Sequence, residues 1–143
     1  MNRIVLWLFL MVSVCSCKPY AGIIRYALSE ENVLYSKAVI ANGFLYSSGQ
    51  LGINPKTKLL QPDLESQTRQ IMDNLRILLE QHHSDMEHLV KINIYLKDIS
   101  QLRQVNEIYT SYLSERKPAR TSVQINALPQ DALIEIDCIA LVQ

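Results

Sequence analysis

Two segments with an apolar residue at every second position constrain the fold most strongly. Residues 90–96 and 134–142 place an apolar side chain at every second position. This period is typical of a strand buried on one face only. The chain therefore contains at least two strands of a sheet with one apolar face. The apolar positions are Val90, Ile92, Ile94 and Leu96, then Ile134, Ile136, Cys138, Ala140 and Val142.

Two other segments repeat at the period of an α-helix. The first begins after Pro62-Asp63, a good helix start, and the second runs from about Ile99 to Leu113, with Ser100 as its expected N-cap. Both helices need an apolar surface to lie on, and the sheet provides it. Their apolar stripes are Leu64, Thr68, Ile71, Leu75 and Leu78 in the first, and Leu102, Val105, Tyr109 and Tyr112 in the second.

The remaining strands complete a mixed α+β domain. We expect them at residues 23–28, 38–41, 44–48 and 121–125, with Asn42-Gly43 as a two-residue hairpin turn. Two helices cover only one face of such a sheet. We therefore expect the other face to meet another subunit. The side chains predicted on that uncovered face are Tyr46, Tyr95, Ile139 and Leu141.

Length and charge argue for one domain without a dominant electrostatic partner. The chain has 143 residues, with 14 Lys plus Arg and 14 Asp plus Glu. A chain of this length buries a sufficient core without disulfides or metals. Zero net charge gives no reason to expect a nucleic-acid partner.

The first residues have the pattern of an export signal. Asn2 and Arg3 precede an uncharged apolar run of about a dozen residues, which is shorter than the roughly 20 that a membrane-spanning helix needs. The run ends in Val14-Cys15-Ser16-Cys17, which resembles a bacterial lipobox with Cys17 as the acylated residue. We expect a signal peptide at residues 1–16, a lipid-anchored tether at 17–22 and the domain at 23–143. A plain signal peptide and a buried N-terminal helix are the alternatives.

Cysteines and histidines give little sign of redox or metal chemistry. With Cys15 removed and Cys17 acylated, Cys138 remains alone and is best explained as a core residue. The three histidines lack the spacing and the accompanying cysteines of a zinc site, so we expect no metal. They are His82, His83 and His88.

Three features are candidates for binding chemistry. Arg120 stands at the start of a predicted strand, where a stiffly held guanidinium binds a carboxylate at two points. We expect Glu135 beside Arg120, on the strand that pairs with the strand of Arg120. It alternates with apolar residues and so points away from the helices, where it could orient a water or shuttle a proton. Gly49 and Gly52 end a strand and allow close approach of a ligand to the backbone. A surface arginine without a role, and a structural ion pair at Glu135, are the alternatives.

Several motifs along residues 23–143 resemble the Rid family (YjgF type) of reactive enamine/imine deaminases. Their distribution over the whole domain makes the resemblance specific. The matching segments are residues 48–55, Lys97-Asp98, Val105-Asn106, residues 118–123, Leu128-Pro129 and residues 134–136.

The resemblance implies a chorismate-mutase-like fold, a trimer and sites in the clefts between subunits. It also implies roles for individual residues. Arg120 matches the arginine that binds the substrate carboxylate, and Glu135 the acid that positions water. Tyr35, Gly49 and Asn106 match residues of the binding cleft.

Two departures from the family pattern affect the expected pocket. Ser122 takes the place of a cysteine found in many members, and we retain it as a substrate-binding residue. Val33-Leu34 replaces a glycine-proline pair before the tyrosine.

The expected activity is hydrolysis of small 2-imino acids to 2-keto acids and ammonia, without a cofactor. The alternative is a non-catalytic trimer that binds small carboxylates or proteins. Ribonuclease activity, which the resemblance also allows, would require phosphate contacts that a neutral chain does not favour.

Overall fold

A computed structural model describes residues 22–27 and 34–143 as one mixed sheet with two helices on one face. The α+β class is thus confirmed. Helix α1 spans Leu64–Gln81 and α2 spans Leu102–Ser111. The strands are β1 Ile23–Ala27, β2 Ser36–Ala41, β3 Phe44–Ser47, β4 Gln50–Leu51, β5 Leu89–Leu96, β6 Ala119–Gln124 and β7 Ile134–Leu141.

The sheet has the order β1-β2-β3-β7-β5-β6, and β4 pairs with β7 beyond the end of β3. Only β5 and β6 run parallel, joined through α2, while the other described pairs are antiparallel. Strand β4 was not predicted. It is a short continuation of β3 after a break at Ser48-Gly49, where the Ser47 hydroxyl accepts a hydrogen bond from the Cys138 N–H at 2.8 Å.

The predicted periodicity holds at nearly every position of the core. The five residues of the first helical stripe are buried, and so are the alternate residues of β7 from Ile134 to Ala140. Asp63 caps α1 by accepting from the Ser66 N–H at 2.8 Å. Asn42 and Gly43 have φ of 51° and 78°, as the predicted hairpin turn requires.

Two details of the prediction were wrong. Val90 is exposed, because a bulge between Leu89 and Lys91 shifts the register and buries Leu89 instead. Ser100 does not cap the second helix. A short 3-10 turn precedes that helix, and the Asp98 carboxylate accepts from the N–H of Ser100 at 2.9 Å.

The face of the sheet opposite the helices carries large apolar side chains, as predicted. Tyr46 and Leu141 are each 42% exposed, and Val123 on β6 is 39% exposed. Cys138 points to the other face, where it is buried in the core and where burial raises the pKa of its thiol to about 11. The prediction of a structural cysteine is confirmed.

The proposed signal peptide and the lipidation residue Cys17 lie outside the described residues. Within residues 22–27 and 34–143, no helix has the length and apolar character needed to cross a membrane.

Candidate active site

The parallel pairing of β5 and β6 decides which way Arg120 points. Arg120 is opposite Ile92, whose side chain is fully buried beneath the helices. Paired residues on neighbouring strands share a face, so Arg120 extends from the sheet edge towards α2. It was expected beside Glu135 on a neighbouring strand. That expectation was wrong, because β5 lies between β6 and β7.

Two residues of α2 hold the Arg120 guanidinium in place. Nη1 donates to the Asn106 side-chain oxygen at 2.7 Å, and the guanidinium carbon lies 5.2 Å from the centre of the Tyr109 ring. Tyr109 is only 4% exposed, so the ring is a fixed support for the cation. Within the described ranges, Arg120 has no carboxylate partner. Its remaining N–H donors are thus free for an acidic ligand.

Ser122 lies two residues further along β6 and on the same face as Arg120. Its hydroxyl oxygen is buried and has no hydrogen-bond partner among the described residues. An unmet buried hydroxyl costs about 1–3 kcal/mol. We call Arg120, Asn106, Tyr109 and Ser122 the arginine half-site.

Glu135 lies on the opposite face of the sheet, as predicted, and packs directly over Gly49. A Cβ atom at Gly49 would lie 2.6 Å from the Cδ of Glu135, which is too close for two carbons that are not bonded. Glycine at this position therefore leaves room for the Glu135 carboxyl in its observed rotamer. We call Glu135, Gly49 and the exposed Tyr35 the glutamate half-site.

The glutamate half-site opens into a cavity of about 660 Å³. Its walls come from the start of β2, from β4 and the loop after it, from the second half of α1, and from the start of β7 and the residues before it. The side chains and backbone that line it include Tyr35, Lys37, Gly49, Leu51, Ile53, Lys58, Ile77, Leu78 and Glu135.

Burial raises the pKa of the Glu135 carboxyl above its usual range, and the nearby Asp137 carboxylate raises it further. Asp137 is itself fixed on the uncovered face. It accepts from the Asn93 amide at 2.8 Å and from the Tyr95 hydroxyl at 2.9 Å. A carboxyl whose pKa is moved towards neutral pH is suited to exchanging protons with water.

The two half-sites are separate within one protomer. Arg120 and Glu135 point to opposite faces of the sheet. Their strands, β6 and β7, are separated by β5, so they lie roughly 10 Å apart across the sheet. Along β7, Cys138 is level with Arg120, and Glu135 lies three residues away from it, which adds roughly 10 Å along the strand. The fold brings Arg120, Asn106 and Ser122 together, and separately Tyr35, Gly49 and Glu135.

Sequence reasoning missed three residues near these sites. Tyr109 was assigned to the helical core, although its position beside Arg120 follows once β6 is placed next to β5. Lys37 and Lys58 drew no attention, because an isolated lysine in a strand or loop has no distinctive pattern.

The raised pKa of Glu135 predicts a pH-dependent effect on stability. Because the folded state holds this proton more tightly than the unfolded state, ionisation of Glu135 lowers the free energy of unfolding as pH rises through its folded pKa. Glu135→Gln should therefore be at least as stable as wild type at pH 7, with the difference shrinking towards pH 4. Thermal melts at both pH values test this, and a less stable Glu135→Gln at pH 7 would contradict it.

Comparison with known proteins gives consistent results. The family model described as "Endoribonuclease L-PSP" matches residues 28–142. A RutC family protein of Pyrococcus horikoshii is 41% identical over 107 residues, which cover 74% of this chain and 85% of that protein. The chloroplastic Reactive Intermediate Deaminase A of Arabidopsis thaliana is also 41% identical over 107 residues, which cover 74% of this chain and 57% of that protein.

A solved structure supports the same relationship. The crystal structure of RidA from the Antarctic bacterium Psychrobacter superposes with a TM-score of 0.75 at 34% sequence identity, covering 82% of this chain and 94% of that one. The resemblance noted in the sequence motifs is therefore confirmed by both sequence and fold. The chain belongs to the Rid family, whose members are also described as YjgF, RutC or L-PSP endoribonuclease proteins.

Proposed function

We propose that this protein hydrolyses reactive 2-imino acids, of the 2-iminopropanoate and 2-iminobutanoate type, to 2-keto acids and ammonia. The observation that carries the proposal is the Arg120 guanidinium, which is oriented by Asn106 and Tyr109 and has no acid partner in the described chain. Such a group is prepared for a small carboxylate. The deaminase name of the Arabidopsis relative supports the reaction type.

The complete site, in this proposal, forms between subunits of a homotrimer. One protomer alone cannot place a ligand on Arg120 and within reach of Glu135, because these residues lie on opposite faces of the sheet. In a closed ring, the arginine half-site of one subunit meets the glutamate half-site of the next. The exposed apolar face that carries Tyr46 and Leu141 supports such an assembly.

The proposed reaction uses water as the nucleophile. Arg120 binds the substrate carboxylate at two points, and Ser122 lies beside it on the same face of β6 as part of the same half-site. Glu135 accepts a proton from the attacking water and passes it to the imine nitrogen. In the resulting carbinolamine, Glu135 transfers the hydroxyl proton to the amine nitrogen. The C–N bond then breaks, ammonia leaves, and the former water oxygen becomes the carbonyl oxygen of the 2-keto acid. Since the imine is already reactive, orientation supplies much of the acceleration required.

Replacement of Arg120 is the direct test of this mechanism. Arg120→Ala should lower kcat/KM for freshly generated 2-iminobutanoate by an amount worth about 2–5 kcal/mol, because the carboxylate loses its partner. Arg120→Lys should recover little, since an ammonium lacks the planar two-point contact. The exposed Arg116→Ala is the matched control. Wild-type rates in Arg120→Ala would exclude this role.

The non-catalytic alternative gives a different result at Glu135. A carboxylate-binding protein without catalysis should show no imine hydrolysis above background, whatever residue stands at 135. In an enzyme, Glu135→Gln should reduce kcat strongly and leave the affinity for the stable 2-oxobutanoate nearly unchanged.

A shared site makes a quantitative prediction for mixed trimers. Arg120→Ala and Glu135→Gln subunits are each expected to be inactive alone. Refolded together in equal amounts, they should recover about a quarter of wild-type activity, because one interface in four pairs an intact Arg120 with an intact Glu135. Wild-type protein refolded in the same way is the control and should recover its activity. If it does and the mixture shows no activity, the proposal of a site shared between subunits is wrong.

We further propose that the protein is exported and anchored through acylation of Cys17, on the strength of the lipobox pattern alone. Several acyl chains on one cysteine anchor a protein far better than one. Cells expressing Cys17→Ser should lose both palmitate labelling and membrane association of the protein. Cys15→Ser is the matched control and should leave both labelling and membrane association unchanged, because serine is also a small residue at that position of the lipobox. Persistent labelling of Cys17→Ser would refute the assignment.

A further inference from the structure

We propose that Lys37 and Lys58 form a second anion subsite in the cavity beside Glu135, so that 2-imino dicarboxylic acids are preferred over monocarboxylic ones. This inference rests on the proposed function for its reaction. The ligand preference itself depends only on the cavity and its charges. The subsite would select the substituent of the substrate, which neither Arg120 nor Glu135 binds in the proposed reaction.

The backbone of β2 fixes the position of Lys37. Its neighbour Ala38 is buried beneath the helices, so Lys37 points to the opposite face, on which Glu135 also lies. The Lys37 carbonyl accepts from the Ser48 N–H at 2.9 Å. This contact places the lysine next to Gly49, at the wall of the cavity.

Lys58 reaches the cavity from a tightly defined turn. The Asn54 side-chain oxygen accepts from the N–H groups of Lys56 and Thr57 at 2.9 and 3.2 Å, and the Asn54 carbonyl accepts from the Lys58 N–H at 2.9 Å. Lys58 itself has a φ of 62°, in the region that favours glycine. A lysine held in this conformation lines the cavity although a glycine would fit the turn with less strain.

The charges around the cavity are unbalanced. Its lining contains two lysines and one acid, Glu135, whose carboxyl has a pKa raised by burial. In the described part of the chain, neither lysine ammonium has an ion-pair partner. The cavity therefore favours an anion in addition to the carboxylate that Arg120 would bind.

The size and walls of the cavity indicate what kind of chain connects the two carboxylates of the preferred ligand. A volume of about 660 Å³ is far larger than a three- or four-carbon imino acid requires. Apolar side chains from β4, the following loop and α1 line the space, and they suit a short methylene chain. They are Leu51, Ile53, Ile77 and Leu78.

Binding of stable keto acids tests the subsite without depending on turnover. We expect the full-length protein, titrated by calorimetry, to bind 2-oxoglutarate about 10-fold more tightly than 2-oxobutanoate, since each exposed charge pair contributes a few-fold in affinity. In the double variant Lys37→Gln/Lys58→Gly, the ratio of the affinity for 2-oxoglutarate to that for 2-oxobutanoate should fall to about 1–2. Lys58→Gly suits the left-handed turn, so the folded structure should persist. The preference should also weaken in high salt.

The matched control is Lys56→Gln, on the same turn but outside the cavity lining, which should leave the ratio unchanged. The single variant Lys37→Gln, which changes an exposed side chain, should lower the ratio part of the way. Equal affinity for the two keto acids in wild type, binding of neither, or an undiminished preference in the double variant would overturn the subsite. A wild-type protein that prefers 2-oxoglutarate but hydrolyses no imine would retain the subsite and remove the proposed reaction.

Discussion

The buried side chain of Gln67 holds together the parts of the chain that form the cavity. It is 2% exposed, and its amide nitrogen donates to the Gln61 carbonyl while its oxygen accepts from the Leu133 N–H, each at 2.9 Å. Helix α1 is thereby joined to the loop after β4 and to the start of β7. Loss of either bond would leave a partly buried backbone group without this partner.

Gly52 makes this arrangement possible. A Cβ atom there would lie 2.5 Å from the Cα of Gln67, and a contact with backbone cannot be relieved by a change of rotamer. Gly49 has the corresponding role against the side chain of Glu135. The two glycines therefore make room for different groups, one for helix backbone and the other for a side chain. Gly52 lets the helix approach the sheet, and Gly49 lets the acid lie over the strand break.

Periodicity in the sequence was sufficient to predict both helices and every strand except the two-residue β4, because burial of one face repeats along each longer element. It failed at Val90, where a bulge changes the register, and at Ser100, where Asp98 caps a 3-10 turn that periodicity does not distinguish from a helix. It gave no direction for the Arg120 side chain, and it placed Glu135 on the neighbouring strand although β5 lies between the two strands. That direction depends on which strand is the neighbour of β6, a long-range property that local patterns do not contain.

The chain has zero net charge, with as many acidic as basic residues. Because Arg120 and Glu135 are separated within one protomer, they do not pair with each other, and both remain available to a ligand. Side by side in one protomer they would form an ion pair, which would lower the pKa of the acid and occupy the guanidinium. On opposite faces, the arginine is fixed by an amide and an aromatic ring, and the acid has a raised pKa. In the proposed trimer the two groups meet only across a cleft, with the substrate carboxylate on the cation. The substrate then takes the place that an internal carboxylate would otherwise occupy.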